Sequence, residues 1–84
     1  MTTAPMRTVL VATPASASYL DIAALQMFQA FHASELSFSV KRDSNEAVVL
    51  YTGREANHEK LAEKIQEKFP GRFREQSVPE RLLT

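Results

Sequence analysis

Apolar residues recur along this chain with two different periods, and the alternation between those periods predicts its elements. Arg7 to Thr13 is short, β-branched and continuously apolar through Val9, Leu10 and Val11, and Pro14 bounds it, which describes a buried strand. From Tyr19 to about Ala33 the period lengthens to that of a helix. Leu20, Ala24, Met27 and Phe31 fall on one stripe, widened by Ala23, Phe28 and Ala30, and this stripe is the expected core-facing side. Ile22 and Leu25 then fall opposite, among Asp21, Gln26, Gln29 and His32, as a small apolar spot on an otherwise polar face. Leu36, Phe38 and Val40 alternate with Ser37, Ser39 and Lys41, the pattern of a strand with one dry face. The polar tetrad Asp43-Ser44-Asn45-Glu46 predicts a tight hairpin, with Asn45 taking the positive φ, and Ala47 to Thr52 resumes as a nearly continuous apolar strand. Gly53 breaks it. Asn57 is placed to cap a second helix in which Leu61, Ile65 and Phe69 form a narrow stripe, with Glu59 in its first turn and Lys68 in its last, as the helix dipole favours. Pro70-Gly71 ends that helix, and Arg72 to Val78, charged and nearly without large apolar residues, suits a protected edge strand.

Strand, helix, strand, strand, helix, strand is the order of a split βαβ, or ferredoxin-like, sandwich: an α+β fold with a four-stranded antiparallel sheet and two helices on one face. In the usual 4-1-3-2 order the first and third strands are central, and here they are the two most continuously apolar runs. The expected layout is a single domain over residues 1–84, with a flexible leader (1–6), a folded core (7–78) and a tail (79–84). Leu20, Phe31, Phe38, Val40, Ile65 and Phe69 are the expected core. Such an architecture hosts many unrelated activities, so function has to be argued from surfaces and side chains.

Eighty-four residues suffice for one two-layer core, and 44% hydrophobic with 24% charged residues is the composition of an ordinary globular domain. Ten basic and ten acidic residues cancel, so no overall field draws in nucleic acid or an anionic membrane. The charges are unevenly spread: Met1 to Val40 carries only Arg7, Asp21 and Glu35. That half depends on burial, within the domain or against a partner. With no cysteine, disulfides, thiolate metal sites and cysteine nucleophiles are excluded, and a reducing, cytoplasmic setting is expected. The apolar run after Arg7 is too short for a signal-peptide core, and no stretch approaches a membrane span.

Candidate chemistry is sparse. No nucleophile-elbow or other catalytic signature surrounds the serines, and Ser16 and Ser18 read as loop and helix-cap residues. His32 and His58 have no metal-ligand spacing and read as solvated residues at helix ends. The loop Thr13 to Ser18 leads into a helix N-terminus, where an anion could bind, but lacks the glycine and lysine of phosphate-binding loops. Lys68-Phe69-Pro70-Gly71-Arg72-Phe73-Arg74 interleaves basic and aromatic residues, which suits phosphate contact by Lys68, Arg72 and Arg74 with base stacking. The likeness to RNA-recognition motifs stops at topology, because the third strand, Asn45 to Tyr51, offers only the Tyr51 ring. Likewise the first strand-to-helix loop lacks the glycines of acylphosphatase-like and ACT-like domains, and heavy-metal-binding domains of this shape use cysteines.

A sheet with helices on one side needs one dry face, yet both central strands are apolar on both. Assigning Ala47, Val49 and Tyr51 outward together with Leu10 leaves an apolar open face, the mark of an interaction site; the alternative is that Leu82 and Leu83 of the tail fold back over it. The expected function is therefore a small, non-enzymatic protein-interaction or regulatory module, such as an inhibitor or accessory subunit, needing no cofactor. It would bind another protein or dimerise through Leu10, Val49 and Tyr51 or through Ile22 and Leu25. The alternatives are a nucleic-acid-binding domain using Lys68, Arg72 and Arg74, and a small-ligand-binding regulatory domain.

Overall fold

The structure, a computed structural model, describes residues 5–18, 21–42 and 45–83. It is an α+β fold built on a four-stranded antiparallel sheet. In chain order the elements are strand β1 (Met6–Ala12), helix α1 (Pro14–Ala17), helix α2 (Ile22–Phe31), strands β2 (Phe38–Arg42) and β3 (Val48–Thr52), a 3-10 turn (Glu55–Asn57), helix α3 (His58–Lys68), strand β4 (Arg74–Pro79) and a second 3-10 turn (Glu80–Leu83). The strands lie in the order β2-β3-β1-β4, so the two apolar runs are central and the charged β4 is an edge. Met6 and Pro79, expected in leader and tail, pair with each other in the β1–β4 ladder, which lengthens the folded core at both ends.

Register decides which side chains share a face. Leu10 lies opposite Leu50, and Val11 opposite Val49. Because successive side chains alternate, Leu10, Ala12, Val48 and Leu50 face one way and Val9, Val11, Val49 and Tyr51 the other. The expected grouping of Leu10 with Val49 and Tyr51 is therefore corrected by one residue of register. Leu10 is 0% exposed and belongs to the main core with Leu50, Phe38, Leu25, Phe28, Leu61, Ile65 and Phe73. Phe38 and Ile65 are buried as expected, and Val40 and Phe69 pack partly buried against the same cluster. Leu20 lies outside the described residues.

The caps set the helices. Thr13 caps the short α1 by accepting a hydrogen bond from the Ser16 N–H, and Ser18 is its C-cap, so neither Ser16 nor Ser18 caps the long helix that follows. Asp21 caps α2 by accepting from the Ala24 N–H. The helix runs from Ile22 to Phe31, and the face that enters the core is Ile22, Leu25 and Phe28 in place of the predicted stripe. Gln29 extends this face by donating to the Phe38 carbonyl of β2 at 2.6 Å. The supposed exposed spot is thus the buried side: Leu25 is 0% exposed, while Phe31, expected in the core, is 82% exposed. Asn57 occupies the N-cap of α3, without a side-chain capping bond, and Glu59 and Lys68 sit in its first and last turns. In the β2–β3 connection the positive φ falls on Glu46, at 66°, instead of on Asn45.

Candidate functional site

The rotation of α2 leaves an unusual surface. Residues 22–31 contain no charged side chain, and with Ile22, Leu25 and Phe28 turned inward the opposite face carries Ala23, Met27, Ala30 and Phe31. Met27 and Phe31 project from it, 73% and 82% exposed. Between α2 and α3 they border a groove of about 700 Å³ floored by Phe28 and lined further by Ala24, Lys64 and Lys68. Aromatic packing stiffens the floor. The Phe28 ring lies 4.5 Å from the His32 ring and 6.0 Å from Phe69, and Phe31 meets His32 edge to face at 5.0 Å. The wall supplied by α3 carries both signs of charge, since Glu67 stands beside Lys64 and Lys68, and Lys64 lies 3.9 Å from Glu35. Scattered single apolar side chains are normal on a surface; a large thioether and a phenyl ring one turn apart on an uncharged helix are not scattered.

The sheet's second face is different, because this chain partly covers it. The 3-10 turn Glu80–Leu83 crosses back from β4, and its carbonyls accept hydrogen bonds from two side chains of this face. Lys41 Nζ donates to the Leu82 carbonyl at 3.1 Å, and the Tyr51 hydroxyl to the Leu83 carbonyl at 3.0 Å. Val49 and Tyr51 are half-buried and Val9 is fully buried. The turn thus returns toward this face through the carbonyls of Leu82 and Leu83, while the Leu82 side chain stays 56% exposed. An ionic clasp anchors the turn's start: Arg7 reaches Glu80 at 3.3 Å and Glu55 at 3.0 Å and also donates to the Thr52 carbonyl. Glu55 in turn accepts from the Thr8 backbone N–H at 2.9 Å and the Thr8 hydroxyl at 2.6 Å. These Thr8 bonds, hydroxyl first and then backbone, with a smaller contribution from Arg7, hold the Glu55 carboxyl below its usual value.

The residues singled out from sequence do not converge on one surface. Leu10 and Leu25 are core, Ile22 packs partly buried against it, and Val49 and Tyr51 lie on the face that the Glu80–Leu83 turn crosses. Lys68 lines the groove on the helix side, Arg74 stands opposite Val11 on β4 and so shares the sheet's second face, and Arg72 is exposed in the connection between. The basic segment 68–74 therefore presents no single phosphate-tracking surface. The Thr13–Ser18 loop is largely taken up by the four-residue α1 and its cap. His58, expected to be solvated, is 6% exposed, and its Nε2 lies 3.0 Å from Glu75 of β4. The helical period places Met27 and Phe31 in the core, whereas they stand on the surface, 73% and 82% exposed; two apolar stripes share this helix, and no local signal in the sequence separates them. Among the described residues no group of three or more His, Asp, Glu or Cys side chains could hold a metal, and no helix is long and apolar enough to cross a membrane.

Comparison with protein-family models, with curated proteins and with solved structures finds no match to the chain.

Proposed function

We propose that this chain is a ferredoxin-like sandwich serving as a non-enzymatic protein-interaction module in a reducing, cytoplasmic setting, and that its working surface is the groove between α2 and α3. The strand order β2-β3-β1-β4, and a core that joins α2 and α3 to one set of sheet residues, support the ferredoxin-like assignment. The observation that carries the function is the exposure of Met27 and Phe31, at 73% and 82%, on a helix without a charge. Covering two such side chains removes apolar area from water, worth roughly 25 cal/mol per Å², and covering them within the domain is not open to a helix that already commits Leu25 and Phe28 to the core. The sheet's second face is a weaker candidate because Lys41 and Tyr51 are already engaged by the chain's own turn.

The test places a charge where the partner would sit. Phe31→Glu and Met27→Glu should each abolish association, read by light scattering for self-association and by pull-down for other partners, while thermal unfolding stays near that of the parent. If both variants fold and keep every partner and oligomeric state of the parent, the groove is not the interface.

A further inference from the structure

We infer that the occupant of the groove is a second copy of this chain, packed through α2 against α2 about a twofold axis at Met27. This rests on the groove being the working surface. Three observations on this helix point to a copy of itself in preference to an unrelated protein. The first is position: α2 runs from Ile22 to Phe31, so Met27 is at its middle, where a twofold axis brings a side chain against its own counterpart.

The second is size. In an antiparallel pair centred on Met27, the residue facing position i is 54 minus i. Phe31 of one copy then faces Ala23 of the other, and Ala30 faces Ala24. Ala23, Met27 and Phe31 form one row at a spacing of four, the row that interdigitates when helices cross. This row has a small residue at one end, a large one at the other and a flexible thioether in the centre. Turned end for end, large meets small. A parallel pair would set Phe31 on Phe31 and leave a gap at Ala23. The exposure agrees: Ala23, Met27, Ala30 and Phe31 are all open to solvent, with Ala24 half-buried at the groove edge.

The third is charge. The groove wall offers Lys64, Glu67 and Lys68, with Glu35 beside Lys64, and the chain as a whole is neutral. A partner of one sign would leave part of this rim facing its like. A second copy brings an equal number of each sign, so that register alone decides whether opposites meet.

The absence of cysteine makes the geometry directly readable. Single-cysteine variants Met27→Cys, Ala23→Cys and Phe31→Cys are prepared, and each is oxidised with glutathione disulfide, alone and mixed. Antiparallel packing predicts that Met27→Cys crosslinks with itself, and that Ala23→Cys and Phe31→Cys crosslink with each other far more than either does alone. Sedimentation of the parent should show a monomer–dimer equilibrium that Phe31→Glu weakens by at least about tenfold, as loss of a large apolar anchor and burial of a charge do. Efficient self-crosslinking of both Ala23→Cys and Phe31→Cys would mean parallel packing and overturn the arrangement. No crosslink at Met27→Cys together with a parent that sediments as a monomer overturns the second copy as occupant. In that event, loss of a captured partner in Phe31→Glu would leave the groove as an interface for a different protein, whereas retention would remove the groove reading as well.

Discussion

Replacing Leu25 by alanine sets the two faces of α2 against each other in a single measurement. Leu25 is 0% exposed and sits in the cluster with Phe28, Leu61 and Ile65. Truncation removes three carbons, about 2.4 kcal/mol at roughly 0.8 kcal/mol each. The cavity left among these neighbours raises the loss into the range of about 2.7 to 5 kcal/mol. A chain of this length is stable by roughly 4 to 13 kcal/mol, so the variant forfeits a large part of its margin. Its unfolding temperature should fall by about 10 to 40 °C, at roughly 4 to 8 °C per kcal/mol. Phe31→Ala is the internal control. Its ring is mostly in water, and alanine is the better helix former by about half a kcal/mol, so stability of the isolated chain should change by less than about 1 kcal/mol. Urea unfolding at a concentration too low for association measures both. If Phe31→Ala costs more than about 2 kcal/mol while Leu25→Ala costs less than about 1, the helix is turned the other way and the groove does not exist as described.

Two further outcomes concern the second face of the sheet and its clasp. The Glu55 carboxyl is held below its unfolded value, so it contributes stability above the ordinary carboxylate range that is lost as pH falls through the depressed value. The drop in unfolding temperature between pH 7 and pH 3 should therefore be smaller in Glu55→Gln than in the parent, and equal drops would dissociate the clasp from acid sensitivity. Tyr51→Phe deletes the hydroxyl that donates to the Leu83 carbonyl and should cost about 0.5 to 1.5 kcal/mol, with faster limited proteolysis after Arg81. Unchanged stability and cleavage would mean that the Glu80–Leu83 turn is not held by this bond.

Element order was legible in the chain because strands and helices here differ in period and are separated by strong stops at Pro14, Gly53 and Pro70-Gly71. Which face each element buries was legible only where one face is polar. Leu36, Phe38 and Val40, alternating with serine and lysine, admit one orientation, and so do Leu61 and Ile65 among the charges of α3. In β1, Val9, Leu10 and Val11 are interchangeable by pattern, and only pairing of Leu10 with Leu50 selects between them. In α2 two apolar stripes compete, because Ala, Met and Phe fall on one and Ile, Leu and Phe on the other. The branched, more compact Ile22 and Leu25 went inward, under an N-cap at Asp21 that fixes the start of the helix. The clasp of Arg7, Glu55 and Glu80 was not legible at all, since its members stand 48 and 73 positions apart and none belongs to a motif.

Arg7 has a consequence for how the molecule opens. Its guanidinium is tied at once to the carbonyl that ends β3, to the turn that follows, and to the turn after β4, while the backbone N–H of Glu80 donates to Pro5 just before β1. Three ends of the sheet distant in sequence thus share one hub, and none can peel away without breaking bonds that hold the others. In hydrogen exchange this end of the sheet should behave as one cooperative unit, with the amides of Thr8 and Glu80 exchanging at a common rate instead of fraying separately.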